Sequence, residues 1–247
     1  MNTKLITALV ITLNLPFFFS LHADEKGREI MEKNDLLKKS QTRLSKSAMV
    51  VINGDNKEVK EFEMISKRYG KDTRSHSTFI KPTRIEFLSW SSPGSDSQQW
   101  IKLSGGTVRK IASSDKSGSF VGSHFYYEDL NERDIDDYEY TSKGEEKVEG
   151  VDCYKVEAVK KSGTRVYEKS VVYLRKSDFF IIKIDLYEKQ GLTKIMRAEK
   201  IETIDGIITP RKISMERVDG KGKTIIYLQS VEYNKSLSDQ LFKKESL

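Results

Sequence analysis

Cysteine is nearly missing from this chain. Its 247 residues hold one, Cys153, so no disulfide can form within the chain and stability must come from a packed core. Histidine is scarce too: His22, His76 and His124 are the whole set. None stands at a metal-ligand spacing with Cys153, and His124 with Glu128 and Asp129 is too loose a group to hold an ion. The aspartates of Asp134-Ile135-Asp136-Asp137 lack the offsets of a calcium loop and read as a solvated face. No Gly-x-Ser-x-Gly or Ser-x-x-Lys signature occurs. Gly222-Lys223-Thr224 looks like the tail of a phosphate-binding loop, but Arg217 stands where that loop needs its first glycine. The expectation is a protein without a catalytic residue, a bound metal or a cofactor. Its net charge of +6 comes from lysines scattered along nearly every segment, with no aromatic-basic pattern of the kind that binds nucleic acid.

Long apolar runs are lacking as well, except at the start. Leu5–Leu15 is apolar apart from Thr7, Thr12 and Asn14, Lys4 precedes it, and Leu21-His22-Ala23 offers a small-residue cleavage point before Asp24-Glu25. The run is too short for a membrane span and fits a cleaved export signal over residues 1–23. The mature chain is expected to begin at Asp24, to be soluble, and to form one domain over 24–247.

Helix is the third scarcity. Asp24–Ser40 has good helix formers, acid in its first turn and Lys38-Lys39 in its last, which complements the helix dipole. Ile30, Met31 and Leu37 give it a modest apolar stripe. From Leu44 onward the period falls to two. Lys46–Ile52 leads into Asn53-Gly54-Asp55-Asn56, a hairpin turn, and Val59–Tyr69 returns. Arg74–Ile80, Arg84–Trp90, Gln99–Leu103 and Val108–Ile111 follow as strands. Beyond the middle of the chain, Lys147–Lys160, Val166–Lys176, Asp178–Lys189, Leu192–Ile204, Ile207–Val218 and Thr224–Tyr233 read as a meander of long strands. Phe180, Ile182, Ile184 and Leu186 are expected to share one buried face of their strand.

Between the two sets lies Ser119–Leu130, with four aromatics in eight residues: Phe120, Phe125, Tyr126 and Tyr127. Its first half has strand composition. Asp129 can then cap a short helical turn that puts Leu130 and Ile135 on its apolar side. The segment fits either a plain core corner or a flap over an apolar cavity. About eleven strands with one apolar face each need more cover than so little helix supplies. The sheet must therefore curl strongly, closing on itself or wrapping its helices, and some interior volume lined by apolar and aromatic groups is expected.

The stretch Ser119-Phe120-Val121-Gly122-Ser123-His124-Phe125-Tyr126-Tyr127-Glu128-Asp129-Leu130 resembles the central motif of outer membrane lipoprotein-sorting proteins of the LolA-like superfamily. Trp100-Ile101 and Val108–Ile111 before it belong to the same likeness. So do Gly150–Glu157, Gly206-Ile207-Ile208-Thr209-Pro210, Val231–Asn234 and Leu241-Phe242 after it. His124 departs from the motif, where an acidic or small polar residue is expected. The resemblance implies a mainly β, α+β domain: an unclosed, strongly curved antiparallel barrel wrapped around a few short helices that act as plug or lid. It further implies a periplasmic carrier that holds acyl chains of a lipoprotein or lipid. An inner-membrane exporter complex of the RND or ABC type would be its donor and an outer-membrane component its acceptor. Candidate cavity lining is then Phe87, Trp90, Trp100, Phe120, Phe125, Tyr127, Phe180, Ile182 and Ile184. The candidate covers are Asp24–Ser40 and Asp129–Tyr138, through Ile30, Met31, Leu37, Leu130 and Ile135. The alternative is a non-enzymatic envelope sensor or adaptor of the same fold that binds a partner protein.

Overall fold

The computed structural model of the chain describes residues 25–163 and 166–247. The expected export signal over 1–23 and the first residue of the expected helix lie outside them. Thirteen antiparallel strands form one sheet, two more than expected. The first arm holds β1 (Thr42–Asn53), β2 (Asn56–Tyr69), β3 (Asp72–Lys81), β4 (Ile85–Ser91), β5 (Gln98–Lys102) and β6 (Val108–Ile111). The second holds β7 (Tyr138–Val148), β8 (Val151–Lys160), β9 (Lys169–Arg175), β10 (Ile181–Glu188), β11 (Gly191–Ile204), β12 (Ile207–Arg217) and β13 (Lys223–Tyr233). Sequential strands pair throughout each arm, and β1 pairs with β13 to join the arms, so β6 and β7 are left as the two edges. The barrel is unclosed between them, and the chain itself, residues 112–137, crosses the opening.

One strand was hidden in the sequence. Lys147–Lys160, expected as a single strand, is broken by a turn in which Glu149 and Gly150 both take positive φ, 49° and 86°. The residues before it make β7, expected in part as a helical cover. β7 carries few apolar side chains, because most of it is exposed and only Tyr140 is deeply buried. Its polar alternation hid it.

Curvature comes from local irregularities. Register shifts occur at Lys46/Ser47, Glu61/Phe62, Ser142/Glu145 and Ile181/Lys183, and such bulges bend a strand and increase its twist. The last of these corrects the expected face of β10. Ile184 and Leu186 do point into the core, but across the bulge Ile181 takes the inward place and Ile182 packs outside with Cys153, Val171 and Tyr173.

The single α-helix of the described residues, α1 (Glu25–Asp35), is shorter than Asp24–Ser40 and lies over β7 and β8. Gly27 brings it close: a Cβ there would stand 2.7 Å from the Ser142 backbone nitrogen and 2.9 Å from the Thr141 carbonyl carbon. Ile30 is buried beneath it and Met31 packs on the same core. The expected strand and helix of 119–138 are instead a series of 3-10 turns, Phe120–Gly122, Tyr127–Leu130 and Ile135–Asp137, tied by one β-bridge between Ser119 and Tyr126. Val121 and Gly122 both take positive φ, 45° and 75°, which an extended strand cannot contain.

Candidate functional site

Phe120, Phe125 and Tyr127 of the crossover do not border a hollow; they fill it. Phe120 is 4% exposed and its ring meets Phe87 at 5.0 Å, Phe79 at 5.6 Å and Tyr127 at 5.8 Å between centroids, all edge to face. Phe62 stacks on Phe79 at 5.0 Å. Phe125 is buried in the same core. Edge-to-face rings at these separations attract each other beyond simple area burial. This corrects the expectation of an open lining around Phe87, Phe120, Phe125 and Tyr127. The sequence could not show it, because the plug and the wall it fills come from segments far apart in the chain.

Trp90 and Trp100 are also misplaced by the sequence reading. Leu88 pairs with Trp100 across β4 and β5, whereas Phe87 pairs with Ile101, so alternation puts both tryptophans on the opposite face from Phe87. There they pack on each other at 4.8 Å, Trp90 Nε1 donates to the Phe242 carbonyl at 2.9 Å, and Phe242 is wholly buried. The tryptophans hold the C-terminal turn on the outside of the sheet.

Open space lies at the other side of the plug. A 70 Å³ cavity under α1 is lined by Met31, Asn34, Ile135, Tyr138, Tyr140, Ala158, Val172 and Ile181, with Asp35 and Arg133 at its border. A wider, polar cavity of about 270 Å³ follows, with Arg68, Lys116, Glu128, Arg133, Lys160 and Tyr167 in its wall. At the C-terminal end of α1, Leu37, Arg43, Phe180, Ile207 and Tyr233 border a further 340 Å³. Of the expected covers, Met31 and Ile135 thus meet at one cavity, Leu37 borders another, and Ile30 and Leu130 pack into the core. Ile184 is in the core, and Phe180 is at the mouth beside Leu37.

The crossover is held by buried polar groups that the sequence reading missed. Gln99 Nε2 donates to the Tyr127 carbonyl and to Asn131 Oδ1, both at 2.9 Å. The Tyr167 hydroxyl donates to Asp129 Oδ1 at 2.9 Å and the Tyr126 amide to Asp129 Oδ2 at 2.7 Å. Burial raises the Asp129 carboxyl above its ordinary range despite these donors and the Lys194 charge. Lys194 of β11 is 2% exposed; its Nζ donates to the His124 carbonyl at 2.8 Å and stands over the Tyr126 ring. Desolvation lowers its pKa to about 8. Lys116 is buried with its Nζ 3.9 Å from Asp96 Oδ1 and without a hydrogen bond, and burial lowers its pKa as well. Lys194 did carry a signal: it alternates with Met196 and Ala198, at the inward positions of β11.

By contrast α1 is fastened mainly at the surface. Arg28 Nη2 pairs with Asp136 at 2.6 Å, Asn34 Nδ2 donates to the Phe179 carbonyl at 2.9 Å, and Lys33 stands over the Phe179 ring. Leu36, just beyond the helix, is 83% exposed.

The described residues thus form a curved, unclosed antiparallel sheet, bridged by its own crossover and covered on one side by a helix. A family model described as "-like: Uncharacterized protein" matches residues 71–247. The chain is similar to a DUF1329 family protein from Desulfovibrio piger, at 30% identity and a TM-score of 0.87 over 92% of this chain and 99% of that one. It is also similar to a structure described as an outer membrane lipoprotein-sorting protein domain from Vibrio parahaemolyticus, at 24% identity and a TM-score of 0.84 over 90% and 98%. A LolA superfamily protein from Nitrosomonas europaea shares the fold at 17% identity and a TM-score of 0.64 over 90% and 99%. No curated protein matches. The chain belongs to the family of that model and has the same fold as the LolA superfamily protein.

Proposed function

We propose that this protein is a periplasmic carrier that takes up an acyl chain of a lipoprotein or lipid and carries it toward the outer membrane. An inner-membrane exporter of the RND or ABC type would load it and an outer-membrane acceptor unload it. The observation that supports this reading is the small apolar cavity beneath α1, roofed by Met31 and Ile135 and floored by Tyr140, Ala158, Val172 and Ile181. At 70 Å³ it is far below the ~300 Å³ at which ligand pockets begin, so cargo enters only if a cover moves. Two covers stand over it, and they differ in cost. Lifting the crossover would pull Phe120, Phe125 and Tyr127 out of the core. Lifting α1 exposes chiefly Ile30 and Met31 and breaks surface ion pairs, each worth under ~1 kcal/mol. We therefore assign the moving cover to α1 and the fixed plug to the crossover.

An acyl chain of about sixteen carbons gains at most ~13 kcal/mol by burial at ~0.8 kcal/mol per methylene. That is too tight for release unless the closed, empty form is itself favourable. Ile30 and Met31, packed on the core when α1 is down, supply such a state.

The test is uptake of a fluorescent fatty acid by the purified chain, together with mass spectrometry of lipid extracted from protein made in a bacterial periplasm. The carrier predicts a saturable signal that Ala158→Trp, which fills the cavity, abolishes while the fold is kept. Absence of uptake and of any co-purifying lipid would overturn it, and a stable protein partner without lipid would favour a sensor or adaptor.

A further inference from the structure

At the end of the barrel where β1 meets β2 and β12 meets β13, a second cleft of about 340 Å³ opens beside the crossover. Its wall is Asn53, Ser119, Gly122, Ser123, His124, Tyr126, Lys194, Arg217 and Lys221. Three cations line it and no carboxylate does. Two of them, Lys194 and Arg217, are direct cross-strand partners on β11 and β12. Like charges placed opposite each other repel, and such a pair weakens a sheet unless something lies between them.

Lys194 has no such relief inside the protein. No carboxylate among the described residues comes within 4 Å of its Nζ, although a buried ammonium without a counter-charge is costly. Asp129 and Glu188 are the acids whose charge reaches it, and both have donors of their own. Asp129 accepts from Tyr126 and Tyr167; Glu188 accepts from Thr193 at 3.0 Å and Tyr126 at 3.3 Å. Arg217 uses Nε and Nη2 on Asp219, and its Nη1 makes no hydrogen bond among the described residues. Lys221 is exposed on the hairpin, 3.9 Å from Asp219.

His124 adds an imidazole. Thr224 Oγ1 accepts the His124 backbone N–H at 3.0 Å and lies 2.8 Å from Nδ1. A hydroxyl carries one proton and two lone pairs, so Thr224 accommodates either ring tautomer, including the one that leaves a proton on Nε2 for an anion. Burial, then the charges of Lys194 and Arg217, hold the ring below its ordinary pKa.

We propose that this cleft binds a phosphate group, bridged between Lys194 and Arg217 with Lys221 and His124 as further donors. A lipid headgroup and a free phosphate monoester share this chemistry. That the source is a headgroup rests on the carrier reading; the binding of the anion does not.

The experiment titrates the full chain with inorganic phosphate and with glycerol 3-phosphate. Binding is followed by calorimetry and by the proton resonances of the His124 ring, which among described residues has only His76 to be told apart from. Phosphatidylcholine vesicles with and without phosphatidylglycerol form the second arm. Wild type is expected to bind saturably and to shift the His124 signal and not that of His76. Arg217→Gln with Lys221→Gln is expected to bind about tenfold more weakly. Lys235→Gln with Lys244→Gln removes the same charge beyond the far end of β13 and is expected to bind as wild type does. If the soluble anions bind as tightly as the vesicles, the site serves free phosphate; if only the phosphatidylglycerol vesicles bind and the first double variant loses this, it serves a headgroup. No saturable binding in either arm, or an equal loss in both double variants, overturns the proposal. Fatty-acid uptake without anion binding would remove the cleft and leave the carrier; anion binding without uptake would do the reverse.

Discussion

The interior of this barrel is built in two ways. Under β1 to β5 it is an aromatic solid, with Phe62, Phe79, Phe87, Phe120 and Tyr127 in mutual ring contact. Under α1, against β7 to β10, the buried residues are smaller, Val156, Ala158, Val172 and Ile184, and the space above them is shared between a small apolar cavity and a polar one. Charges enter that second half: Asp129, Lys194 and Lys116 are buried along it, while the first half packs its rings with Met49, Val51, Ile101 and Ile111. An aromatic cluster resists opening because every ring leaves several neighbours at once. A polar seam under a helix held mainly by surface contacts should open in steps, each of small cost. One half therefore has the make-up of a frame, and the other is where the proposed carrier would admit a guest.

The largest effect should come from breaking the frame. Phe120→Ala removes the ring that meets Phe79, Phe87 and Tyr127, and a buried Phe-to-Ala change costs about 3–5 kcal/mol. Urea unfolding should show that loss in full. If it falls below about 1 kcal/mol, the centre is not the solid described here.

Next in size is the seam. With a folded pKa near 8 against 10.5 for an unperturbed lysine, Lys194 binds its proton less tightly in the folded state than in the unfolded. Between those two values the unfolded chain holds more protons, so stability rises with pH through that window, by at most about 3 kcal/mol at ~1.4 kcal/mol per unit. Below pH 8 the cost of the buried charge is present in full. Lys194→Met should remove that part of the rise, read as the difference between the two proteins' unfolding midpoints from pH 7 to 10. Parallel curves would mean that the ammonium is better solvated than its burial indicates.

The two halves were not equally legible in the sequence. The frame was, because Val59–Tyr69, Arg74–Ile80 and Arg84–Trp90 have strand composition between clear turns and the Asn53–Asn56 turn sets the β1–β2 register. Its faces were legible only in part: Phe87 on one parity and Leu88 and Trp90 on the other are all apolar, and nothing in Ile85–Ser91 tells which parity the core takes. On the outer face the C-terminal turn meets this strand, its Phe242 carbonyl accepting from Trp90. The second half was harder. β7 has too few apolar residues to declare itself, and the bulge that turns Ile182 outward leaves no mark in a run of four apolar side chains from Phe179 to Ile182. The crossover was singled out by its aromatic density, yet its backbone follows from positive φ at Val121 and Gly122 and from partners such as Gln99, Tyr167 and Lys194, which sit up to seventy residues away in the chain. Long-range polar contacts of that kind leave no periodicity to read.

The smallest expected change in stability is also the one that separates lid from plug. Gly27→Ala gains ~1 kcal/mol of helix propensity. It also places a methyl 2.7 Å from the Ser142 nitrogen and 2.9 Å from the Thr141 carbonyl carbon. Those are backbone atoms of β7 and cannot swing aside as a side chain would, so the helix must rise, at a cost of about 1–3 kcal/mol. The two terms nearly cancel, and a net loss of about 1 kcal/mol is expected in unfolding. The position of α1 should nevertheless respond: amide exchange should quicken over Glu25–Asp35 and along β7, and stay unchanged in β3 and β4. If α1 is the moving cover, the same variant should take up a fluorescent fatty acid faster than wild type. Faster exchange in α1 with no gain in uptake would mean that lifting the helix does not open the cavity, and the lid would have to be sought in the crossover instead.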